Sequence, residues 1–581
     1  MSRSLAIGSA LIAVLYLYSL FGASDRFTMT PFRESQTAIT AHYMATEESP
    51  FLAYHVPVKG EPWALPMEFP FFQWITAQVG GTDSDALRWA GRLLSLASWL
   101  GCLGFAYLLA RRAPVHAADR RWFIVLLTAA PIYVAYSVSF LIETFVLMFA
   151  LGYLWAFLRG RESRPWSFTA LAIGFGVLAS LGKPTTWAPF AGVIILALFI
   201  DVFGHFRAKK PLAKLLPILG QSGLLVGIPL VAGLVWVHFG DAVKMEAPLT
   251  RELTSERLSV WNYGSLAQKM SPAVWAVIFG KQWILLLGMG ACLLPVVGIL
   301  AFRRSLQAIK HAQWLRPLWC LLTFAGYLSA PIVFTNLHFR HDYYMLANGF
   351  FLIAFFVLCL SSLRSSGNST RWISMVYGLT LASMLVAGGG YLALKKSFAE
   401  PQEEALIAAL KELPEGPVVF SGFGWSSKMP YELERRALML SFDSAEAPQY
   451  EEVVGLNRKL PWVAIAIANE SLDGFARNLS EDLGGGFDHE VEVWPGLKVM
   501  SRVPFPDETG AMERPPLLQK VDTKLLDSEA GERGVIYLHT PLTPKDSGNG
   551  LFELMLRRGE DLFYIDSESL RFYRLRGMFR E

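Results

Sequence analysis

Long apolar stretches recur along the first two-thirds of the chain and stop near Leu394. Read as helices they give eleven intervals: Ser4 to Gly22, Leu87 to Ala110, Trp122 to Tyr136, Val138 to Leu158, Trp166 to Leu181, Thr185 to Ile200, Leu215 to His238, Ile284 to Phe302, Pro317 to Thr335, Met345 to Leu363 and Trp372 to Leu394. Such stretches suit a hydrocarbon layer about 30 Å thick. Beyond Leu394 the pattern changes. Glu403 to Leu413 has helical spacing, while Val418 to Phe420, Trp462 to Ile467, Leu497 to Val503 and Val535 to His539 are short runs rich in β-branched residues. The expected architecture is a polytopic α-helical membrane part, residues 1–394, followed by a soluble α/β domain, residues 395–581.

Orientation follows from the basic residues. With the N-terminus in the cytoplasm, the inner segments carry 18 Lys and Arg in 57 residues, against 10 in about 122 residues of outer connection. Arg111, Arg112, Arg120, Arg121, Arg207, Lys209 and Lys210 thus mark the cytoplasmic side. An odd number of crossings then puts the terminal domain outside. The first interval, preceded by Arg3, resembles a secretory signal but reads better as an uncleaved helix. Two outer loops are long, Ala23 to Ala86 with 64 residues and Phe239 to Trp283 with 45. In the first, Thr30 as N-cap and Pro31 at the first helical position open a helix to about Ala45, and Pro66 to Gln78 is a second candidate. Both are expected to lie on the outer leaflet.

Composition sharpens this picture. The chain is 53% hydrophobic and 17% charged, and 54 of its 101 charged residues lie in the 187 residues from Lys395 to Glu581. A net charge of +3, spread over short loops, gives no basis for nucleic-acid binding. The four cysteines, Cys102, Cys292, Cys320 and Cys359, all fall in apolar stretches and imply neither a disulfide framework nor a cysteine metal site.

The few ionisable residues near the apolar boundaries then carry the chemistry, because placing them there is costly unless they are used or paired. Five groups stand out: Glu34, in the first turn of the loop helix beside Arg33 and Gln36; Glu68, among bulky apolar neighbours; Glu143, at the outer start of the fourth interval; Lys183, alone between two apolar runs; and the segment Asn336 to Tyr344, with His338, Arg340, His341, Asp342, Tyr343 and Tyr344. Each has a plainer reading. Glu34 can simply complement a helix dipole, Glu68 can pair with Lys59 or Arg88, and Lys183 can snorkel. All five lie on the outer side, however, where carboxylates with cations suit an anionic lipid headgroup meeting a nucleophile that must be deprotonated. Glu68, His338 and His341 are candidate ligands if a divalent metal is used.

Arg33-Glu34-Ser35-Gln36-Thr37-Ala38, Glu68-Phe69-Pro70, Glu143, Lys183-Pro184 and His341-Asp342-Tyr343-Tyr344, taken in order, resemble the GT-C fold glycosyltransferases of the dolichyl-phosphate-mannose-protein mannosyltransferase and aminoarabinose-transferase superfamily. The likeness is to a bacterial branch with an Arg-x-x-Gln-Thr-Ala first-loop motif. Gly424-Trp425-Ser426-Ser427, Tyr431 and Arg435-Arg436 are similar to that branch too. The resemblance implies inverting transfer of a hexosyl or pentosyl group from a polyprenyl-phosphate donor to an envelope glycan, lipid or protein, at the outer face of the bacterial inner membrane. It implies a first-loop Asp-Glu pair, but Arg33 stands where the aspartate belongs. Glu34 is then the expected base, with Glu68 and Glu143 as rivals. Lys183, Arg340 and Arg33 are expected on the donor phosphate, and Gln36, His338, His341, Asp342, Tyr343 and Tyr344 on the substrates. The competing reading is a transporter or flippase of lipid-linked or small anionic substrates; such proteins usually place ionisable groups at mid-bilayer on broken helices.

Overall fold

The computed structural model describes residues 3–22, 27–47, 49–163, 166–209, 211, 213, 215–310, 314–364, 370–396, 401–441, 444–468, 472–494, 497–505 and four strand segments within 535–575. Its first helices are α1 (Arg3–Phe21), α2 (Pro31–Thr46), α3 (Phe71–Gly80), α4 (Ser84–Ala110), α5 (Ala117–Ala129), α6 (Pro131–Tyr136), α7 (Glu143–Ser163), α8 (Trp166–Gly182), α9 (Pro184–Arg207) and α10 (Leu216–Lys244). Three short helices follow, α11 (Pro248–Arg251), α12 (Ser259–Tyr263) and α13 (Leu266–Met270). The bundle is completed by α14 (Pro272–Leu287), α15 (Gly290–Lys310), α16 (Leu315–Val333), the short α17 (Thr335–Arg340), α18 (Met345–Arg364) and α19 (Thr370–Lys396).

Among the described residues six helices are long and apolar enough to cross a membrane, or seven if the pair bent by 116° at Ser271 is one crossing. A helix lies over each of the eleven apolar intervals, but three intervals differ in detail. The interval ending at Tyr136 is broken: Pro131 has no N–H to give and disfavours helical geometry at Ala130, so α5 stops and α6 restarts with Pro131 at its first position. The next helix begins at Glu143 rather than Val138, the intervening residues forming a buried turn. The interval expected as Ile284 to Phe302 is two helices. Gly288 ends α14 at φ +54, and a Cβ there would meet Ser383 Oγ at 2.6 Å.

The first helix of the first loop does not lie on the surface. Helix α2 is buried from Glu34 to Tyr43, packed between α3, α4 and α21 (Lys428–Leu433) of the region beyond Lys396. That region contains α20 (Pro401–Lys411), β1 (Val418–Ser421), β2 (Ala437–Leu440), α22 (Tyr450–Asn457), β3 (Ala464–Ile467), α23 (Asp473–Asp482), β4 (His489–Trp494) and β5 (Leu497–Ser501). The strands form one sheet in the order β2-β1-β3-β5-β4, with β1 parallel to both neighbours and β5 antiparallel to both of its own. Farther on, β6 (Val535–His539), β7 (Glu553–Arg558), β8 (Asp561–Asp566) and β9 (Arg571–Leu575) make an antiparallel meander.

The first loop is built into the five-stranded sheet. Ala437 and Met439 donate backbone hydrogen bonds to Pro57 O (2.8 Å) and Val58 O (2.9 Å), so residues 56–60 run along the free edge of β2. Trp63 of this loop and Leu249 of α11 enter the apolar core that Val419, Leu438, Trp462 and Ile465 form. Arg436 reaches both carboxylate oxygens of Glu47 at 2.8 Å and lies over Trp63. One end of the bundle is thereby roofed by loop and sheet together.

Candidate active site

Beneath this roof the start of α2, the segment before α3, the start of α7, the α8–α9 junction and the segment after α17 converge. Arg33 donates to the Glu68 carboxylate and to Gln36 Oε1. Lys183, between α8 and α9, donates to Glu143 Oε1 at the start of α7. The Lys183 ammonium also lies 5.0 Å from the Tyr343 ring and 4.5 Å from that of Tyr344. His341 stacks on Tyr343 at 5.3 Å. Asp342 accepts from Tyr136 at 2.6 Å and from Tyr391, and Lys395 lies 3.7 Å away. Arg33 is within electrostatic reach of Glu143, Tyr343 and Tyr344, which joins the pairs into one cluster.

The cluster holds more positive charge than its carboxylates balance. Burial, and after it the nearby Lys281 of α14, which donates to Phe339 O (3.1 Å), pushes His338 and His341 down to about pKa 3, which favours the neutral imidazoles. Arg33 and Lys183 act on His341 in the same direction. Burial would raise the Glu68 carboxyl, but Arg33 and then Lys183 outweigh it and keep it below its ordinary value. Among the described residues Arg33, Lys183, Lys281 and Lys395 gather there with Glu68, Glu143 and Asp342.

Among the described residues three buried polar atoms of this cluster have no hydrogen-bond partner: Arg33 Nε, Gln36 Nε2 and Glu143 Oε2. Buried groups of this kind are ordinarily satisfied. Two donors and one acceptor of the cluster are thus left over.

Glu34 is placed differently from its neighbours. Its Oε1 accepts from the backbone N–H of Met29 and Thr30, both at 2.9 Å, and its Oε2 from that of Phe140 at 3.4 Å. This is the reach-back of a capping box; the Thr30 side chain, expected as the cap, makes no capping bond. Arg340 is exposed, its guanidinium 5.8 Å over its neighbour Phe339, and the structure does not bring it into the cluster. His338 is buried with Nδ1 2.9 Å from Gln282 Nε2. Glu68 pairs with Arg33 rather than with Lys59 or Arg88: Arg88 meets Glu432 at 3.4 Å, and Lys59 faces Trp425 at 5.6 Å. Among the described residues no three His, Cys, Asp or Glu side chains converge. With Glu68 committed to Arg33 and His338 to Gln282, this donor set does not fit a divalent cation.

Sequence reasoning missed Tyr136, Tyr391, Lys281 and Lys395. Lys281 carried a signal, a lone cation in Ile278-Phe279-Gly280-Lys281-Gln282-Trp283. It fell outside the interval drawn from Ile284 and so counted as loop. The tyrosines look like ordinary interface aromatics.

Solved structures resemble this arrangement. ArnT from Cupriavidus metallidurans bound to undecaprenyl phosphate matches with TM-score 0.55 and 13% identity, over 88% of this chain and 99% of the other. The apo state matches with TM-score 0.53 and 15% identity over the same shares. This is the GT-C fold. The Archaeoglobus fulgidus oligosaccharyltransferase in its apo form shares it, with TM-score 0.51 and 13% identity over 98% of this chain and 77% of that one. No protein-family model matches this GT-C chain, and no curated protein matches its sequence.

Proposed function

We propose that the chain is an inverting membrane glycosyltransferase that moves a sugar from a polyprenyl-phosphate donor to an envelope glycan, lipid or protein acceptor. Its eleven crossings leave the N-terminus in the cytoplasm, and the α/β domain from residue 395 lies on the outer face of the inner membrane. The observation that carries this reading is the set of unsatisfied buried atoms in a cation-rich cluster under the loop and sheet. The fold shared with an undecaprenyl-phosphate-bound protein supports it.

Glu143 is the general base, while Glu34 secures the start of α2 and the Phe140 amide. The free Oε2 of Glu143 takes the proton of the acceptor hydroxyl as its oxygen attacks the sugar C1; the C1–O bond to phosphate breaks, and the electron pair leaves on the polyprenyl phosphate. Lys183, Arg33 and Gln36 receive that charge, which is worth most where water is excluded. Lys281 adds to the field. Asp342, held by Tyr136 and Tyr391, fixes the segment that carries Tyr343 and Tyr344, whose faces suit a sugar.

Membranes containing the protein are incubated with a panel of labelled polyprenyl-phosphate sugars, and envelope glycans are compared with and without the gene. Label transferred to an envelope component supports the proposal. Label that crosses the bilayer unchanged on its lipid would support a flippase.

A further inference from the structure

The inner half of the bundle encloses a cavity of about 210 Å³ between α4, α5, α7, α9, α16 and α18. Its walls are almost wholly apolar, with Phe157, Ala197, Leu318, Leu322, Ala354 and Leu358 among them. Apolar cavities of about 150 Å³ stay dry and take up hydrocarbon. The cavity does not continue to the candidate active site. Phe350 and Phe351 close its outer end, wedged against Phe123 at 5.6 Å and Phe190 at 4.7 Å.

The inner end is different. Ala113 and Val115 line it, and Pro114 between them accepts from Arg316 Nε at 3.1 Å; Leu315, next to Arg316, lines it as well. Arg161 also lines this end, but Asp201 neutralises it, as Glu162 does Arg112. Among the described residues no carboxylate pairs with Arg316. The apolar cavity therefore has the half-buried Arg316 beside its inner end, next to the lining residue Leu315 and bonded to Pro114 between the lining residues Ala113 and Val115. Guanidinium groups suit phosphate by geometry and charge.

We propose that this cavity holds an acyl chain of an anionic diacyl phospholipid whose phosphate is bound by Arg316. Assignment to the inner leaflet rests on the orientation proposed above; binding itself does not, so lipid binding can fail or succeed independently of the topology. The chain length is bounded by the aromatic end wall, and the headgroup preference comes from Arg316.

Full-length protein, purified in detergent and delipidated, is titrated with dioleoylphosphatidylglycerol or dioleoylphosphatidylcholine and read by native mass spectrometry and thermal midpoint. One phosphatidylglycerol is expected to remain bound at least fivefold more tightly than phosphatidylcholine. The dihexanoyl form should bind at least tenfold more weakly. Arg316→Gln should bring the two headgroups to parity, and Ala354→Phe should remove tight binding of either. If Ala354→Phe does not fold, the Arg316→Gln comparison decides. Equal affinity for the two lipids in the unmodified protein would overturn the proposal, as would binding unchanged in Ala354→Phe. Displacement of phosphatidylglycerol by undecaprenyl phosphate, with undecaprenyl phosphate binding lost in Ala354→Phe, would give the cavity to the donor's tail and overturn it too.

Discussion

The two ends of the bundle treat charge in opposite ways. At the end under the loop and sheet Arg33, Glu68, Lys183 and Glu143 are largely buried and belong to different elements. At the opposite end Arg159 and Glu162 are more than 40% exposed and three residues apart on one helix, and Arg161 meets Asp201 at the surface. Among the described residues of that end, Arg364 and Asp119 are paired at 3.0 Å, with Arg364 Nε donating to both Asp119 oxygens, and tie α18 to α5. Surface pairs contribute little, whereas buried charges cost several kcal/mol unless matched. The roofed end bears that cost, with Arg33 Nε, Gln36 Nε2 and Glu143 Oε2 unmatched among the described residues, whereas the unmatched Arg112 Nε and Arg120 Nε of the opposite end belong to side chains outside any such buried cluster.

The comparison is sharpened most by Glu143→Gln. Transfer should fall by about 10²- to 10⁴-fold, the span of general base catalysis, in protein that still folds but with a lowered thermal midpoint, since the buried Lys183 ammonium loses its charged partner; full activity would remove Glu143 from the mechanism. Lys183→Ala should weaken donor binding by about tenfold or more and destabilise the fold by about 3 kcal/mol, since it strands the Glu143 charge. Donor affinity measured unchanged would count against the phosphate role. Glu34→Gln acts on structure: losing charge-assisted bonds to amides should cost about 2 kcal/mol in chemical denaturation while turnover stays within a few-fold. Abolished turnover at full stability would return the base role to Glu34.

A gain is expected at Lys59, buried beside Trp425. Burial pushes its pKa from 10.5 down to about 8, against a weaker pull from Glu252. The unfolded chain holds the extra proton between those values, so the burial penalty is complete below pH 8 and fades as the pH rises toward 10.5. Lys59→Met should therefore stabilise by about 1–2 kcal/mol at pH 7, a gain that shrinks over that window. A gain independent of pH would mean that packing, not charge, is responsible. Smallest of all, Glu162→Gln at the opposite end should change stability by less than about 1 kcal/mol and leave transfer untouched; a large loss of activity would end the contrast between the two ends.

Much of this was legible in the chain because hydrocarbon is an unforgiving solvent. Apolar intervals marked the helices, and stray charges at their edges marked Arg33, Glu68, Glu143 and Lys183. Legibility failed where a decision was tertiary. Nothing near Glu34 says that amides of Met29 and Phe140 will claim its oxygens, since Phe140 lies 106 residues away. Gly288 splits a helix because Ser383 of α19 needs the space, which no local pattern records. Arg340 looked as useful as Arg33 on paper, and only packing turned it outward. Strand β2, Ala437–Leu440, is only four residues long and too short to announce itself.

The hydrogen bonds from Ala437 and Met439 to Pro57 and Val58 have a consequence for biosynthesis. Residues 56–60 leave the ribosome early, and their partner strand follows nearly four hundred residues later. During that interval Trp63 has no core to enter and Glu47 no Arg436. A nascent chain can thread its helices one after another, yet the roof over Arg33 and Glu143 can close only once translation has passed β2. Ribosomes stalled short of Ala437 would display a helical bundle whose buried ion-pair cluster is still uncovered.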